Sequence, residues 1–403
     1  PLSQHIGAPA QPVVKKGDRV LAGQKIAEMG GFVSAPIHAT VSGIVKDLKK
    51  VRNNVGAMVD AIIVENDEQY ETVEFQPAKS LEEPSKEEII ARIKDGGVVG
   101  MGGAGFPTHK KYETDKSIDS LLINGAECEP FLTCDYRRML EQPEWIIGGL
   151  KCMLKLFDHA KGCICIEDNK PDCIAKLTEM IKDEPRIEVC TLKTKYPQGA
   201  ERCLIAAVSG REINSSMLPA DAGCVVDNID TVCAVYRAVM FGEPVMDRIV
   251  TITGDAVADP CNFKVRLGSS FAELLEAAGG LKQPAEKIIS GGPMMGFAMF
   301  DYHVPVVKTS SAMLCMSKDE VSAQEPGACI NCGRCVSACP ARLIPSRLAT
   351  YSEHGQEDLF VKYHGMECVE CGCCSYTCPA KRPLTQSVRS MRKTVLANRK
   401  KPK

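Results

Sequence analysis

At 403 residues the chain is long enough for several domains, each burying its own core. Its composition, 44% hydrophobic and 25% charged with a formal net charge of −2, is that of an ordinary globular protein and leaves no basic footprint for nucleic acid. No run approaches the roughly 18 apolar residues of a membrane-spanning helix and no signal core is visible, so twenty-one cysteines point to reduced thiols and bound metal in a soluble cytoplasmic chain rather than to a disulfide scaffold.

Between 13 and 45, short apolar runs are broken by turns at Gly17-Asp18, Gly23-Gln24, Gly30-Gly31 and Ser42-Gly43, which predicts a small β domain over 1–73. The phrasing KGDRVLAGQ followed by APIHATVSGIV resembles the barrel-sandwich fold of biotinyl and lipoyl carriers. The hairpin tip at 29–32 has no lysine to accept a swinging cofactor, so this domain is expected to be structural.

Residues 66–84 read as a polar linker, after which Ser85 and Glu88 form a capping box for a helix running to about Asp95. Over 85–245, apolar runs at 98–99, 121–123, 163–166 and 225–226 alternate with helix-like segments such as 143–157 and 171–183, the pattern of an α/β domain. Its glycine run, Gly100-Met101-Gly102-Gly103-Ala104-Gly105, satisfies G-x-G-x-x-G between a strand-like and a helix-like segment. Glycines let backbone N–H groups approach a phosphate, and a following helix N-terminus favours its charge. Glu127 lies where a ribose-binding acid would stand in a dinucleotide fold. A glycine-rich packing turn is the competing reading. Residues 246–312 give strand-like RIVTITG, FKVRL and KIISGG around helix-like SFAELLEAAG, a small α+β unit that resembles the β-grasp domains of redox complexes.

The segment 313–403 carries the strongest signal. Cys329, Cys332, Cys335 and Cys339-Pro340, then Cys368, Cys371, Cys374 and Cys378-Pro379, both read CxxCxxCxxxCP. A four-iron cluster needs four converging thiolates; in two-cluster proteins of this type the fourth cysteine of each run ligates the other cluster. This assigns Cys329, Cys332, Cys335 and Cys378 to one [4Fe-4S] cluster and Cys368, Cys371, Cys374 and Cys339 to the second. Zinc sites use paired CxxC units instead. Cys373 is left over. Cys163, Cys165 and the other scattered cysteines read as small buried hydrophobes. The spacer between the runs has apolar spacing suited to a helix, so the module resembles an α-helical dicluster ferredoxin domain. From 389 onward the tail is basic, a solvated helix end or a contact for anionic lipid or an acidic partner.

Further resemblance narrows the α/β domain. GMGGAGFPTHKKY resembles the GRGGAGFPTGLKW loop of the flavin-bearing, NADH-oxidising subunit of respiratory complex I and of related hydrogenase subunits. In matching order, 124–130 resembles NADESEP, 196–201 resembles YICGEE and 227–231 resembles NNVET. With the front barrel, the β-grasp unit and the dicluster tail, the whole chain resembles the RnfC family of the Rnf ion-translocating ferredoxin:NAD oxidoreductases. The resemblance implies a multidomain α/β and α+β fold with a Rossmann-like FMN/NADH domain. It implies two [4Fe-4S] clusters, non-covalent FMN, and NADH/NAD as substrate.

Carried across by position, Gly100, Gly102 and Lys111 are expected near flavin phosphate or nicotinamide pyrophosphate, with Asn124 and Glu127 at FMN. Gly199, Ala200, Asp227, Asn228 and Thr231 complete that pocket, while Phe106, Glu129 and Glu201 face the nicotinamide nucleotide. Glu127 and Glu129 also read as ordinary capping or surface carboxylates. Ala126, Ala200 and Tyr112 depart from the family pattern. NADH delivers two electrons as hydride whereas a cluster accepts one, and a flavin bridges the mismatch in either direction. No general acid–base pair is required. The implied setting is the cytoplasmic face of the cell membrane, as a peripheral subunit whose partner subunits supply the membrane and ion-pumping parts and reach ferredoxin. Two alternatives stay open: a soluble donor to a reductase, and a non-catalytic relay with a degenerate flavin loop.

Overall fold

The computed structural model describes residues 1–321 and 323–399. Two three-stranded sheets form the N-terminal unit. One has the order β1-β3-β4, built from β1 (Gln11–Pro12), β3 (Lys25–Glu28) and β4 (Ile37–His38). The other, β2-β5-β6, pairs β2 (Arg19–Val20) with a long hairpin of β5 (Gly43–Arg52) and β6 (Met58–Asn66). Small residues Ala10, Ala27 and Ala39 share the core with Val20, Ile26, Ile37 and Val45, which lets the sheets close tightly.

Ser85 caps α1 (Lys86–Asp95) with a reciprocal bond from Glu88, as the sequence motif requires. After the glycine run comes the short α2 (Thr108–Tyr112). Then four parallel strands, β7 (Ser120–Gly125), β8 (Lys161–Glu167), β9 (Ile187–Leu192) and β10 (Cys224–Asn228), assemble in the order β10-β7-β8-β9. They are linked by α3 (Cys134–Glu141), α4 (Pro143–Leu154), α5 (Pro171–Met180) and α6 (Glu201–Ser209), and α7 (Ile229–Tyr236) follows β10. Near-continuous apolar strands reflect burial on both faces. One face meets Ile146, Leu150, Val232 and Val235 of α4 and α7; the other meets Leu204 and Ile205 of α6. The chain moves outward from β7 through β9 and then returns to the opposite side of β7. That reversal leaves a crevice at the carboxyl ends of β7 and β10.

The next unit is a five-stranded sheet ordered β12-β11-β15-β13-β14 with α8 (Phe271–Ala277) against it. Its strands are β11 (Asp247–Thr253), β12 (Cys261–Arg266), β13 (Lys287–Ser290), β14 (Phe297–Met299) and β15 (Ala312–Met316). The sequence boundary at 312/313 falls inside β15, whose pairing with β11 and β13 ties it to this sheet. Val250, Ile252, Phe271 and Met313 join the same continuous core as α4 and α7, so the two units share an interior.

The cysteine-rich region holds α9 (Arg334–Ser337), α10 (Pro345–Glu353), α11 (Glu357–Lys362), α12 (Cys373–Tyr376) and α13 (Leu384–Arg399). The predicted single spacer helix is two, broken at His354-Gly355, where Gly355 has φ +66°. Leu343, Leu348, Phe360, Val388, Met391 and Val395 form its core. In the basic tail, Arg389 and Arg392 both pair with Glu370; residues 400–403 lie outside the described residues. Among the described residues, no helix is long and apolar enough to cross a membrane.

Candidate functional site

The crevice between β7 and β10 is edged by two amides that face each other in register, Asn124 and Asn228. Asn124 Nδ2 donates to the Gly199 carbonyl at 2.8 Å and its Oδ1 accepts from Ala126 N at 3.1 Å. Gly199 has no room to be anything else, because a Cβ would lie 2.4 Å from the Ala126 carbonyl oxygen. Asn228 caps α7 through Asp230 N at 2.9 Å and donates to Asp135 Oδ2 at 2.6 Å.

The glycine run lies over this edge. Met101 is buried and held from both sides: its N–H donates to Thr231 Oγ1 at 2.9 Å, and its carbonyl accepts from Arg248 Nη1 at 2.8 Å. Gly102, Gly103 and Ala104 are exposed beyond that anchor. A Cβ on Gly102 would meet the Asn228 side chain at 2.9 Å, whereas over Gly103 nothing lies within 4 Å. Gly100 closes the turn through the Phe106 carbonyl at 2.8 Å, and Phe106 is 38% exposed. Lys111 Nζ is pinned by Val226 O at 2.7 Å and Asp227 Oδ1 at 2.8 Å; Tyr112 donates to Asp227 Oδ2 at 2.9 Å. Burial, and then Asp227, hold the Tyr112 phenol well above its usual range. Glu201 opens α6 within reach of the Lys111 charge, and Ala200 leaves the first turn of α6 without a side-chain cap.

Two carboxylates are committed elsewhere. Glu127 caps α3, accepting from Asp135 N at 2.9 Å, Tyr136 N at 3.0 Å and the Cys134 thiol at 3.3 Å, because Thr133 provides no side-chain cap. Glu129 accepts from Met294 N at 2.6 Å and Met295 N at 3.1 Å.

Sequence reasoning missed a buried charge cluster behind the glycine run. Arg138 Nε bonds Asp230 Oδ1 at 2.9 Å, and Arg248 Nε lies 3.6 Å from Asp230 Oδ2. Burial, then repulsion from Glu127 and Asp230, raises the Asp135 carboxyl far above the usual range. These residues lie on α3, α7 and β11, far apart in sequence and with no motif; only a charge at an otherwise apolar helix position hints at them. The side chains of Cys163 and Cys190 approach each other across β8 and β9, with Cα atoms 6.0 Å apart.

The cysteine runs fold into two groups. Cys329, Cys332, Cys335 and Cys378 line one hollow. Cys339 and Cys368 each pack against the helical core, and the Cys371 charge acts on both, with Cys335 also acting on Cys339 and Cys374 on Cys368. The grouping of Cys378 with the first run is the arrangement that crossed ligation would require. Backbone N–H groups point at sulfur, Leu343 N at Cys339 (3.4 Å) and Glu370 N at Cys368 (3.3 Å), the kind of donor that tunes cluster potential. Cys373 sits against Cys371.

Two features fit a phosphate-bearing flavin: exposed glycine backbone with open space above Gly103, and uncapped N–H groups at α6 beside Lys111. The two thiolate groups fit four-iron clusters.

Comparison with known proteins agrees. Family models match the Nuo51 FMN-binding domain over 93–237, the RnfC barrel sandwich hybrid domain over 1–69, the SLBB domain over 249–298 and the 4Fe-4S dicluster domain over 328–381. A relative in Acetobacterium woodii, named as the C component of a Na(+)-translocating ferredoxin:NAD(+) oxidoreductase complex, is 44% identical over 405 aligned residues, covering 100% of this chain and 91% of its own. The Clostridium ljungdahlii protein named as the C component of a proton-translocating ferredoxin:NAD(+) oxidoreductase complex is 44% identical over 363 residues, 89% of this chain and 79% of its own. A Pseudomonas aeruginosa protein, named as the C component of an ion-translocating oxidoreductase complex, is 38% identical over 364 residues, 88% of this chain and 47% of its own. In fold, the chain is similar to part of an NAD+-reducing [NiFe]-hydrogenase, with TM-score 0.52 and 16% identity over 81% of this chain and 64% of the other. With the 44% identity to the first of these sustained from end to end, the chain belongs to the RnfC family of ion-translocating oxidoreductase complexes.

Proposed function

We propose that this chain exchanges electrons between NADH/NAD and two [4Fe-4S] clusters through FMN, as the peripheral, cytoplasmic-face subunit of a membrane-bound ferredoxin:NAD oxidoreductase. The observation that supports this reading is the presence, in one chain, of an open glycine run at a topological switch point and a hollow where Cys378 joins Cys329, Cys332 and Cys335. FMN, when bound, supplies the conversion between a two-electron hydride and single electrons. The chain's own residues prepare its place. Met101, fixed by Thr231 and Arg248, sets the glycine backbone before any ligand arrives, so little ordering cost remains. Gly102 and Gly103 present N–H groups to phosphate, with the α6 N-terminus and Lys111 adding positive charge. Asn124 and Asn228 edge the pocket, and Asp227 holds Lys111 and Tyr112 in place. Phe106, exposed at the mouth, offers a face to the nicotinamide nucleotide.

Other Rnf-type subunits are the partners on this reading, reaching ferredoxin indirectly. Relatives at the same 44% identity are named for sodium and for protons, so the coupling ion is not carried by this similarity. A second reading, a relay in which only the clusters work, is favoured by Glu127 spending both oxygens, and Glu129 one, on backbone donors. One assay separates the two: purified, reconstituted protein should retain FMN and reduce ferricyanide with NADH. Absence of flavin together with inertness to NADH would leave only the relay.

A further inference from the structure

Loops from three domains meet beside the second cysteine set. Tyr196, in the loop after β9, donates its hydroxyl to the Cys371 backbone carbonyl at 2.8 Å. Glu129, in the loop after β7, holds the Met294 and Met295 N–H groups of the loop between β13 and β14. That loop in turn touches the cluster side. Gly372 has φ +83°, and a Cβ there would lie 2.7 Å from the Met294 carbonyl oxygen, so only glycine lets the two backbones approach. A second tie, Arg202 to Glu367 at 2.9 Å, sits immediately before Cys368. On the other set, Cys329 and Cys332 are exposed and Ile330 is 67% exposed.

We propose that Tyr196 is a positioning residue for electron entry: it fixes the Cys371 corner of one cluster against the flavin-side loops, which makes that cluster the first to be reduced. This rests on the oxidoreductase reading above. The step moves one electron from reduced flavin to the oxidised cluster; no bond of the chain forms or breaks, and the proton lost by the flavin goes to solvent. The exposed Cys329 cluster is then the outward one. A donor on the peptide of a ligand cysteine also favours the extra negative charge of the reduced cluster, so its removal lowers the potential.

Tyr196→Phe removes the hydroxyl and keeps the ring. In the full chain with both clusters assembled, a dithionite titration followed by EPR should show the potential of the Cys371 cluster falling while that of the Cys329 cluster stays. Rapid-freeze EPR should show reduction of the Cys371 cluster by NADH slowed about tenfold, with FMN content unchanged. Arg202→Gln, which cuts the neighbouring ion pair without touching a cluster ligand, should move neither readout. Equal slowing in Arg202→Gln, or a wild-type rate with an unshifted potential in Tyr196→Phe, would overturn the proposal. If Tyr196→Phe fails to assemble its clusters, Tyr196→Gln returns a donor and must restore both readouts; failure to do so counts against the hydroxyl. The titration needs neither NADH nor flavin. A shifted potential in protein that NADH cannot reduce would therefore sink the oxidoreductase reading and leave the role of Tyr196 standing.

Discussion

Cys339 belongs by sequence to the first run, and the crossed assignment gives it to the second cluster, whose Cys368 packs against the same helical core. Cys339→Ala should therefore damage the cluster of Cys368, Cys371 and Cys374 and leave the Cys329 cluster intact. Iron content should fall from about eight toward about four atoms per chain, with one of two EPR signals lost. Loss of the Cys329 signal alone would contradict the crossed pairing. The dicluster domain was legible because a cluster imposes fixed spacing on the chain, and the crossed pairing is what this variant tests. Glu127 was not legible in this sense. Its place after a strand suggests a ribose-binding acid, but the uncapped N-terminus of α3 takes both its oxygens. Asp135, Arg138 and Arg248 were invisible because charge burial is decided by tertiary packing rather than by local pattern.

Among the elements, α2 shows how one short helix couples the glycine run to the N-terminal barrel. His109 on α2 is fully buried with neither ring nitrogen hydrogen-bonded, and His38 on β4 is buried close by the Lys308 ammonium. Lys308 Nζ ties the Pro36 carbonyl of the barrel to the Gly97 carbonyl before the glycine run, at 2.8 and 2.7 Å. Burial lowers His109 from 6.5 to about 4. Burial, then the Lys308 and Lys25 charges, lowers His38 from 6.5 to about 3. Both histidines are neutral when folded, whereas the unfolded chain takes up protons below 6.5. The native state therefore loses stability as pH falls from about 6.5 toward 4. Melting temperatures between pH 7 and pH 4.5 should fall less in His109→Leu than in the wild type; parallel slopes would show that His109 does not titrate this way. Helix starts such as Ser85 were readable from capping chemistry. The break between α10 and α11 was not, since the apolar spacing runs through it and only Gly355 interrupts. The end of the β-grasp sheet was misplaced for a related reason, because β15 completes a sheet whose other strands are distant in sequence.

At the scale of the whole molecule, order along the chain is order along a route: a barrel that braces the glycine run, a crevice for a nucleotide, a β-grasp sheet sharing its core, and a helical module holding two thiolate sets. The shared core fixes the crevice relative to the 292–295 loop, and that loop touches the cluster module at Gly372. Fold class and domain order could be read from the sequence because each unit has its own periodicity. The contacts between units could not, since they rest on single residues such as Tyr196 and Gly97. The most direct test of electron flow through this assembly is EPR of the FMN-loaded, cluster-reconstituted chain under anaerobic NADH. Two reduced [4Fe-4S] signals that appear with NADH and vanish when FMN is removed are the predicted result; clusters that dithionite reduces but NADH leaves oxidised, with FMN bound, would contradict it.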